Sequence, residues 1–327
     1  MSKSILTKKI LYWYDNNKRE LPWRKNVFQA KREYYTLVSE FMLQQTQVST
    51  VIPYFNNFIK KIPNVIALSK IEENKLLKYW EGLGYYSRVK NLKKTANILV
   101  KNFNGRLPST IDELKLLPGI GDYTANAIMA IAFNKSFIPL DGNIERVIKR
   151  LLNLKLISQV SKEKLINKKK ILGTSVRASD YAQALMELGA LICRPKSPLC
   201  NQCPLIKNCK SFKNNDFEII KERKKNIDKF YKLTIYKKGN QFLLIKNTKF
   251  NFLKNFKIFP MHEVSKNDNL EKNLKFKISN MNMSIAIQFN KIKGSIPNSS
   301  WIDSSKLDSY TLPSFTKKIF KYLKKNE

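Results

Sequence analysis

Long apolar runs are missing from this 327-residue chain. No stretch of about 18 consecutive apolar residues occurs, which excludes a membrane-spanning helix. The first ten residues, Met1-Ser-Lys-Ser-Ile-Leu-Thr-Lys-Lys-Ile10, lead into an amphipathic stretch and carry no apolar signal core, so a cytoplasmic protein is expected. Cysteine is scarce, with four residues in all. In a reducing compartment these are thiols or metal ligands, not disulfides. Acidic residues number 25 against 61 Lys and Arg, giving a formal net charge of +36. A field of that size attracts polyanions, nucleic acid first. It also has a plainer source: only ten of the basic residues are Arg, and the lysines are spread along the whole chain, as A+T-rich codons and a solvated surface would leave them. Internal repeats and low-complexity tracts are absent. With 43% hydrophobic and 11% aromatic residues the chain can build packed cores, which excludes a disordered protein.

What is present divides along the chain. The length suits two or three domains. Apolar residues recur at helical spacing over 5–14, 34–45, 48–62, 71–80 and 89–103, and short turn signals separate these stretches. Residues 213–228 are polar and charged and read as a linker. Beyond them 230–237, 241–246 and 283–289 are short, β-branched or aromatic, and bounded by Gly, Asn or Pro. These are expected strands, with a closing helix over 313–323. The expected architecture is a mostly α region, 1–212, followed by an α+β domain, 229–327.

Two motifs carry chemistry. The first is Leu116-Leu-Pro-Gly-Ile-Gly-Asp-Tyr-Thr-Ala-Asn-Ala-Ile128. Thr110 and Glu113 form a capping box that starts a short helix. Pro118 and Gly119 stop it, and Gly121 permits the tight backbone that begins the next. Glycines flanking one apolar residue let backbone N–H groups point outward at a helix N-terminus, where a phosphate oxygen can bind. The plain alternative is an ordinary packing corner between helices; the length of the match favours the helix-hairpin-helix of DNA repair proteins. The second motif is Cys193-x6-Cys200-x2-Cys203-x5-Cys209, which holds every cysteine of the chain. Four thiolates within 17 positions wrap one metal centre. Zinc and an iron–sulfur cluster both suit such a set, and the spacing alone leaves the two open. Arg194 and Lys196 lie between the first two cysteines, where they could meet DNA phosphates.

Six segments in order resemble one family. Ser39-Glu-Phe-Met-Leu-Gln-Gln-Thr-Gln-Val48, Gly82-Leu-Gly-Tyr-Tyr-Ser-Arg88, the hairpin, Leu140-Asp-Gly-Asn143, Met186-Glu-Leu-Gly-Ala190 and the cysteine loop are similar to the adenine DNA glycosylases of the MutY family, within the endonuclease III superfamily. The match covers roughly residues 20–210. It implies a helix-hairpin-helix glycosylase fold, with a six-helix domain at about 25–133 and an iron–sulfur domain formed from 1–24 and 134–212. It also implies a [4Fe–4S] cluster on the four cysteines. The partner it implies is double-stranded DNA carrying adenine opposite 8-oxoguanine or guanine, bound by a monomer associated with a bacterial-type nucleoid.

The same resemblance assigns the site residues. Glu40, among Val38, Phe41 and Leu43, is either a structural buried carboxylate or, as the family implies, the acid that protonates the base; apolar surroundings raise a carboxyl pKa and suit it to that task. Asp141 opens a helix, where an N-cap role is the plain expectation. The resemblance places it beside the sugar, stabilising an oxocarbenium-like cation as carboxylates do in glycoside hydrolysis. Asn143 and Glu187 match positions lining the same site. Tyr123 stands where bifunctional relatives carry a Schiff-base lysine, so base removal without strand cleavage is expected; Lys115 and Lys135 are near in sequence but do not occupy the position. Gln45 and Tyr85 match residues that wedge into the duplex when the base is extruded, and Trp23 and Arg24 match residues lining the adenine pocket.

Over the C-terminal part the resemblance thins. Gln241-Phe-Leu-Leu-Ile245, Phe256-Lys-Ile-Phe-Pro260, Trp301 and the segment from Leu312 resemble the family's Nudix-like domain, which recognises 8-oxoguanine. No glutamate-rich Nudix helix occurs between Pro260 and Leu274, so pyrophosphohydrolase chemistry is not expected. The usual glycines before the Phe-Pro strand are absent, and the recognition tripeptide Phe-Ser-His is replaced by Ile278-Ser279-Asn280. The lone histidine, His262, lies elsewhere. Weaker discrimination of 8-oxoguanine from guanine is therefore expected, with Ser279 and Asn280 left for base contact. Two alternatives stand beside the leading reading: a cluster-bearing DNA-binding protein without catalysis, and a glycosylase of altered opposite-base specificity.

Overall fold

The computed structural model describes residues 5–154, 165, 167–217, 226–265, 273–278, 280–292 and 294–325. The chain divides into two compact units: Met1–Glu73 with Tyr85–Glu222, and Asn74–Gly84 with Arg223–Glu327. Residues 74–84, expected within the helical region, thus group with the second unit.

The first unit is helical. Helix α1 spans Ile5–Asn17, α2 Gln29–Leu43, α3 Val48–Lys61 and α4 Val65–Lys70. Helix α2 starts five residues before its apolar pattern does, because Gln29, Ala30 and Lys31 are exposed and add no apolar signal. Its buried Glu33 is tolerated only because Arg106 donates to it twice, at 3.1 and 2.6 Å, and Leu107 N once, at 3.0 Å. The stretch read as one helix over 71–80 is in fact a break followed by α5, Glu73–Tyr79. Helix α4, six residues long and so too short to show a periodicity, is started by the Asn64 side chain, which accepts from Ala67 N at 2.8 Å.

Helix α6 spans Ser87–Asn102, α7 Ile111–Leu116 and α8 Asp122–Ile131. Tyr34, Leu37, Val38 and Phe41 of α2 are buried, as are Phe55 and Phe58 of α3, Val89 and Leu92 of α6, and Ala125 and Ile128 of α8. A second core joins Ile10, Trp13 and Tyr14 of α1 to α9, Gly142–Leu152, and α10, Ala178–Glu187. Helix α10 runs into a π turn over Leu188–Ile192. There Gly189 lies against the backbone of Asn143, which binds the start of α9 to the end of α10.

The second unit carries two four-stranded sheets. One has the order β5-β1-β7-β6, built from Met261–Val264, Ile227–Ile235, Met281–Phe289 and Asn273–Ile278, with β1 and β7 parallel. The other joins β2 (Lys237–Lys238), β3 (Gln241–Lys246) and β4 (Lys257–Ile258), and β8 (Ser299–Asp303) also pairs with β3. Leu233, Ile235, Leu244, Ile258 and Ile285 form a core with Ile319, Phe320 and Leu323 of the helix Ser314–Lys325. The strand β6 lies outside the expected strands although its alternation of Leu274, Phe276 and Ile278 with Lys275 and Lys277 is regular; only its last residue, Ile278, belongs to the tripeptide aligned with the recognition loop. Ile278 pairs directly with Met281. No helix among the described residues is long and apolar enough to cross a membrane.

The contact at Gly189 gives a stability prediction. A Cβ there would lie 2.6 Å from Asn143 Cβ and 2.8 Å from its carbonyl oxygen, and backbone cannot yield as a flexible side chain would. Gly189→Ala is expected to destabilise the protein by about 1–3 kcal/mol, the usual scale of overpacking. An unchanged thermal melt would show that α9 and α10 part freely.

Candidate active site

Helix α2 brings Thr36, Ser39 and Glu40 to one wall of a cavity of about 210 Å³ in the first unit. The opposite walls come from Tyr123 in the first turn of α8, Asp141 and Asn143 at the start of α9, and Trp23 and Arg24 in a short 3-10 turn after α1. Segments far apart in sequence thus place two carboxyls, a phenol and a guanidinium around one space.

Glu40 is 5% exposed, and its Oε2 has no hydrogen-bond partner. Burial pushes its carboxyl up to about 7, with the nearby Asp141 adding to the rise; a Tyr123 hydrogen bond and Arg24 oppose it. Tyr123 keeps its proton, because burial and then the charges of Glu40 and Asp141 hold its phenol well above the ordinary value. It is therefore the donor to Glu40. The phenol carries no amine, so no Schiff base forms at this position.

Asp141 has both places that the sequence offered. It caps α9, with Oδ1 accepting from Asn143 N at 3.0 Å and Ile144 N at 2.7 Å, and it lines the cavity. Burial raises its carboxyl above the ordinary value, against those backbone bonds, the Asn143 side chain and Arg146. Asn143 donates to Asp141 Oδ2 at 2.7 Å and accepts from Arg146 Nη2 at 2.8 Å. Arg146 also donates to Gly189 O at 2.6 Å and Cys193 O at 2.7 Å, which ties the cavity floor to the first residue of the cysteine loop.

Glu187 does not line the cavity. It is fully buried behind the wall and accepts from Arg19 N and Nε, both at 3.1 Å, and from Arg24 Nη1. It fixes two guanidinium groups that do line it. Arg24 Nε remains buried and unpartnered. Trp23 is held by an edge contact with Phe55, ring centroids 5.3 Å apart.

Gln45 and Tyr85 are exposed, and both have left-handed backbone, φ +57° and +47°. The sequence reading gave no role to Arg88, yet it governs both. Its Nη1 donates to the carbonyls of Phe41, Met42 and Gln44 at 3.1, 2.7 and 2.5 Å, closing the end of α2 just before Gln45. Its guanidinium lies 5.5 Å from the centre of the Tyr85 ring. The available signal was an arginine one turn before Leu92 on the apolar face of α6, where an isolated charge is costly unless fully bonded.

In the hairpin, Thr110 caps α7, its Oγ1 accepting from Glu113 N at 3.4 Å, but the Glu113 carboxylate accepts from the Thr110 hydroxyl at 2.6 Å and not from the Thr110 backbone, so the expected capping box is only half made. Gly119 has φ +83°, and a Cβ there would lie 2.9 Å from Phe41 and Asn91. Gly121 is corrected: its backbone is extended at φ −98° with open space around it, so no tight backbone requires glycine there. Lys115 pairs with Asp122, and Lys135 donates to Ser109 O; neither lines the cavity. In the second unit Asn280 sits in the β6–β7 turn with its carbonyl accepting from Ile227 N at 2.9 Å. Ser279 lies outside the described residues.

The four cysteines line a small apolar cavity together with Ile192, Ile206, Phe212 and Phe217. Burial raises the thiols of Cys200 and Cys209 and pushes Cys203 up to about 12, and mutual repulsion adds to each. Four thiolates in such a place need a cationic centre among them. Arg150 Nη1 lies 3.5 Å from Cys193 Sγ and also donates to Arg194 O. Arg194 and Lys196 are exposed.

The state of Glu40 has a measurable consequence for folding. Between 4.5 and about 7 the folded protein holds a proton that the unfolded chain has lost, so stability falls as pH rises through that window. Glu40→Gln removes the dependence and is expected to be the more stable protein above pH 7, by roughly 3 kcal/mol at 1.36 kcal/mol per pH unit. Urea unfolding of both proteins at pH 5 and pH 8 checks this; a constant gap would mean that Glu40 titrates normally.

Comparison with known proteins follows the same lines. The family profile of HhH-GPD superfamily base excision DNA repair proteins matches residues 38–171. An adenine DNA glycosylase of Buchnera aphidicola subsp. Schizaphis graminum is 36% identical over 268 residues, 80% of this chain and 76% of that protein. One from Buchnera aphidicola subsp. Baizongia pistaciae is 42% identical over 230 residues, 69% of this chain and 64% of its own. Among solved structures, a thermostable thymine-DNA glycosylase matches with a TM-score of 0.57 at 26% identity, covering 64% of this chain and 96% of its own. With its carboxyl-lined cavity, its hairpin and its cysteine loop, the chain belongs to the adenine DNA glycosylases of the helix-hairpin-helix base-excision repair superfamily.

Proposed function

We propose that the protein removes adenine mispaired with 8-oxoguanine or guanine from double-stranded DNA and leaves the strand uncut. The observation that carries this is Glu40, a carboxyl that holds its proton to about pH 7 with Oε2 free to donate it, facing Asp141 across one cavity. With adenine extruded into the cavity, Glu40 protonates the base at N7. The bond from the sugar to N9 then breaks, its electron pair leaving with the base. Asp141, held by two backbone N–H groups, stabilises the cationic sugar until water adds. Tyr123 keeps Glu40 in place and Asn143 keeps Asp141 in place. Trp23 and Arg24 contact the base, with Glu187 fixing Arg24, and Gln45 and Tyr85 enter the duplex. Gly119 shapes the hairpin that meets a phosphate, and the N-terminus of α8 follows Gly121.

Cys193, Cys200, Cys203 and Cys209 hold a [4Fe–4S] cluster, which supplies a structural cationic centre when bound. The strand-rich unit is a Nudix-like domain that reads the opposite base, with weakened selection for 8-oxoguanine because Ile278-Ser279-Asn280 stands where the family carries an aromatic and a histidine. The protein works as a monomer, on nucleoid DNA in a bacterial-type cytoplasm.

A single-turnover assay on duplex DNA with adenine opposite 8-oxoguanine tests this. Strand breaks are expected only after alkali, with a rate that falls as pH rises through about 7 because the proton of Glu40 is lost. Glu40→Gln is expected to lose at least a thousandfold, since both proton transfer and its positioning go. Breaks without alkali, or full activity in the variant, would overturn the assignment. Equal rates opposite guanine and 8-oxoguanine would support the weakened discrimination, and a strong preference would overturn it.

A further inference from the structure

Thr36 stands one helical turn before Glu40 on the same face of α2, and it was not among the residues singled out from the sequence. It is 2% exposed, and its Oγ1 has no hydrogen-bond partner. A threonine inside a helix ordinarily turns its hydroxyl back to a carbonyl three or four residues earlier. Thr36 does not, and it lines the cavity instead. A buried orphan hydroxyl is destabilising, and such groups in folded proteins call for a functional account.

Three of the residues that line this one space carry a buried, unpartnered polar atom: Thr36 Oγ1, Glu40 Oε2 and Arg24 Nε. On the reading given above, Glu40 Oε2 serves N7 of adenine. The polar group next to N7 on that edge is the exocyclic 6-amino group, which presents N–H donors and needs an acceptor. Arg24 Nε offers only a donor. Glu40 Oε2 is occupied at N7. Among the three, the acceptor left is the hydroxyl of Thr36. We propose that Thr36 is a specificity-determining residue whose Oγ1 accepts a hydrogen bond from the 6-amino group of the extruded adenine.

The inference rests on the cavity being the adenine site, but its test does not depend on base removal. The full-length, cluster-loaded protein and its Thr36→Val variant are titrated against two duplexes opposite 8-oxoguanine. One carries a non-hydrolysable 2′-fluoro nucleotide of adenine, the other the same nucleotide of unsubstituted purine. Valine keeps the shape and replaces the hydroxyl by a methyl. Expected are an approximately tenfold weaker affinity for the adenine duplex, as for one lost hydrogen bond, and no change for the other. Melting temperature is expected to hold or rise, because an orphan hydroxyl has been removed; a structural role would lower it. Thr36→Ser, which keeps the oxygen, is expected to bind adenine as the unaltered protein does. Equal losses on both duplexes, no loss on either, an unaltered protein that binds both alike, or a serine variant that fails to restore selectivity would each overturn the proposal. Failure of the Glu40 chemistry would appear in the cleavage assay and leave these affinities unmoved.

Discussion

A buried carboxyl group with one oxygen unpartnered is what the helical unit is arranged to hold. Left alone, Glu40 would ionise and draw in water, and burial answers by raising its pKa towards neutrality. Everything around it serves that balance. Tyr123 supplies one hydrogen bond without supplying a positive charge. Arg24, which would pull the pKa back down at close range, is kept engaged by Glu187 on the far side of the wall. Asp141 adds negative charge nearby, yet is itself satisfied by the first N–H groups of α9. The site is thus a set of charges each tied to a helix end or a buried partner, which fixes their positions before any substrate arrives.

How much of this was legible in the sequence follows from which physics each residue obeys. Helices with a sustained apolar stripe, such as α1 and α3, were readable, as was the Thr110 cap of α7, because these depend on neighbours in sequence. The short α4 and the break before Glu73 were not, since six residues show no period. Glu40 and Asp141 could be named from motif and environment. The place of Glu187 behind the wall could not, because its partners Arg19 and Arg24 are more than 160 residues away in the chain. Arg88 and Thr36 were overlooked for a shared reason. Each looked like an ordinary helix residue, and its meaning lies in what its polar atoms meet, or fail to meet, across space.

The second unit shows the opposite balance. Its strands follow β-branched and aromatic content, and β3 was readable to the residue. Strand β6 was missed although Leu274, Phe276 and Ile278 alternate with lysines, because the resemblance singled out only residues 278–280 at its end. Local period is the stronger witness where resemblance is thin.

The grip of Arg88 reaches beyond the helix it caps. One guanidinium holds the carbonyls that end α2 and lies beside the ring of Tyr85, so the backbone carrying Gln45 and the side chain of Tyr85 have a common anchor. Neither can be repositioned without disturbing bonds that also hold the other. On the proposed reading, in which both enter the duplex, they are two tines of one fork and move in a single stroke.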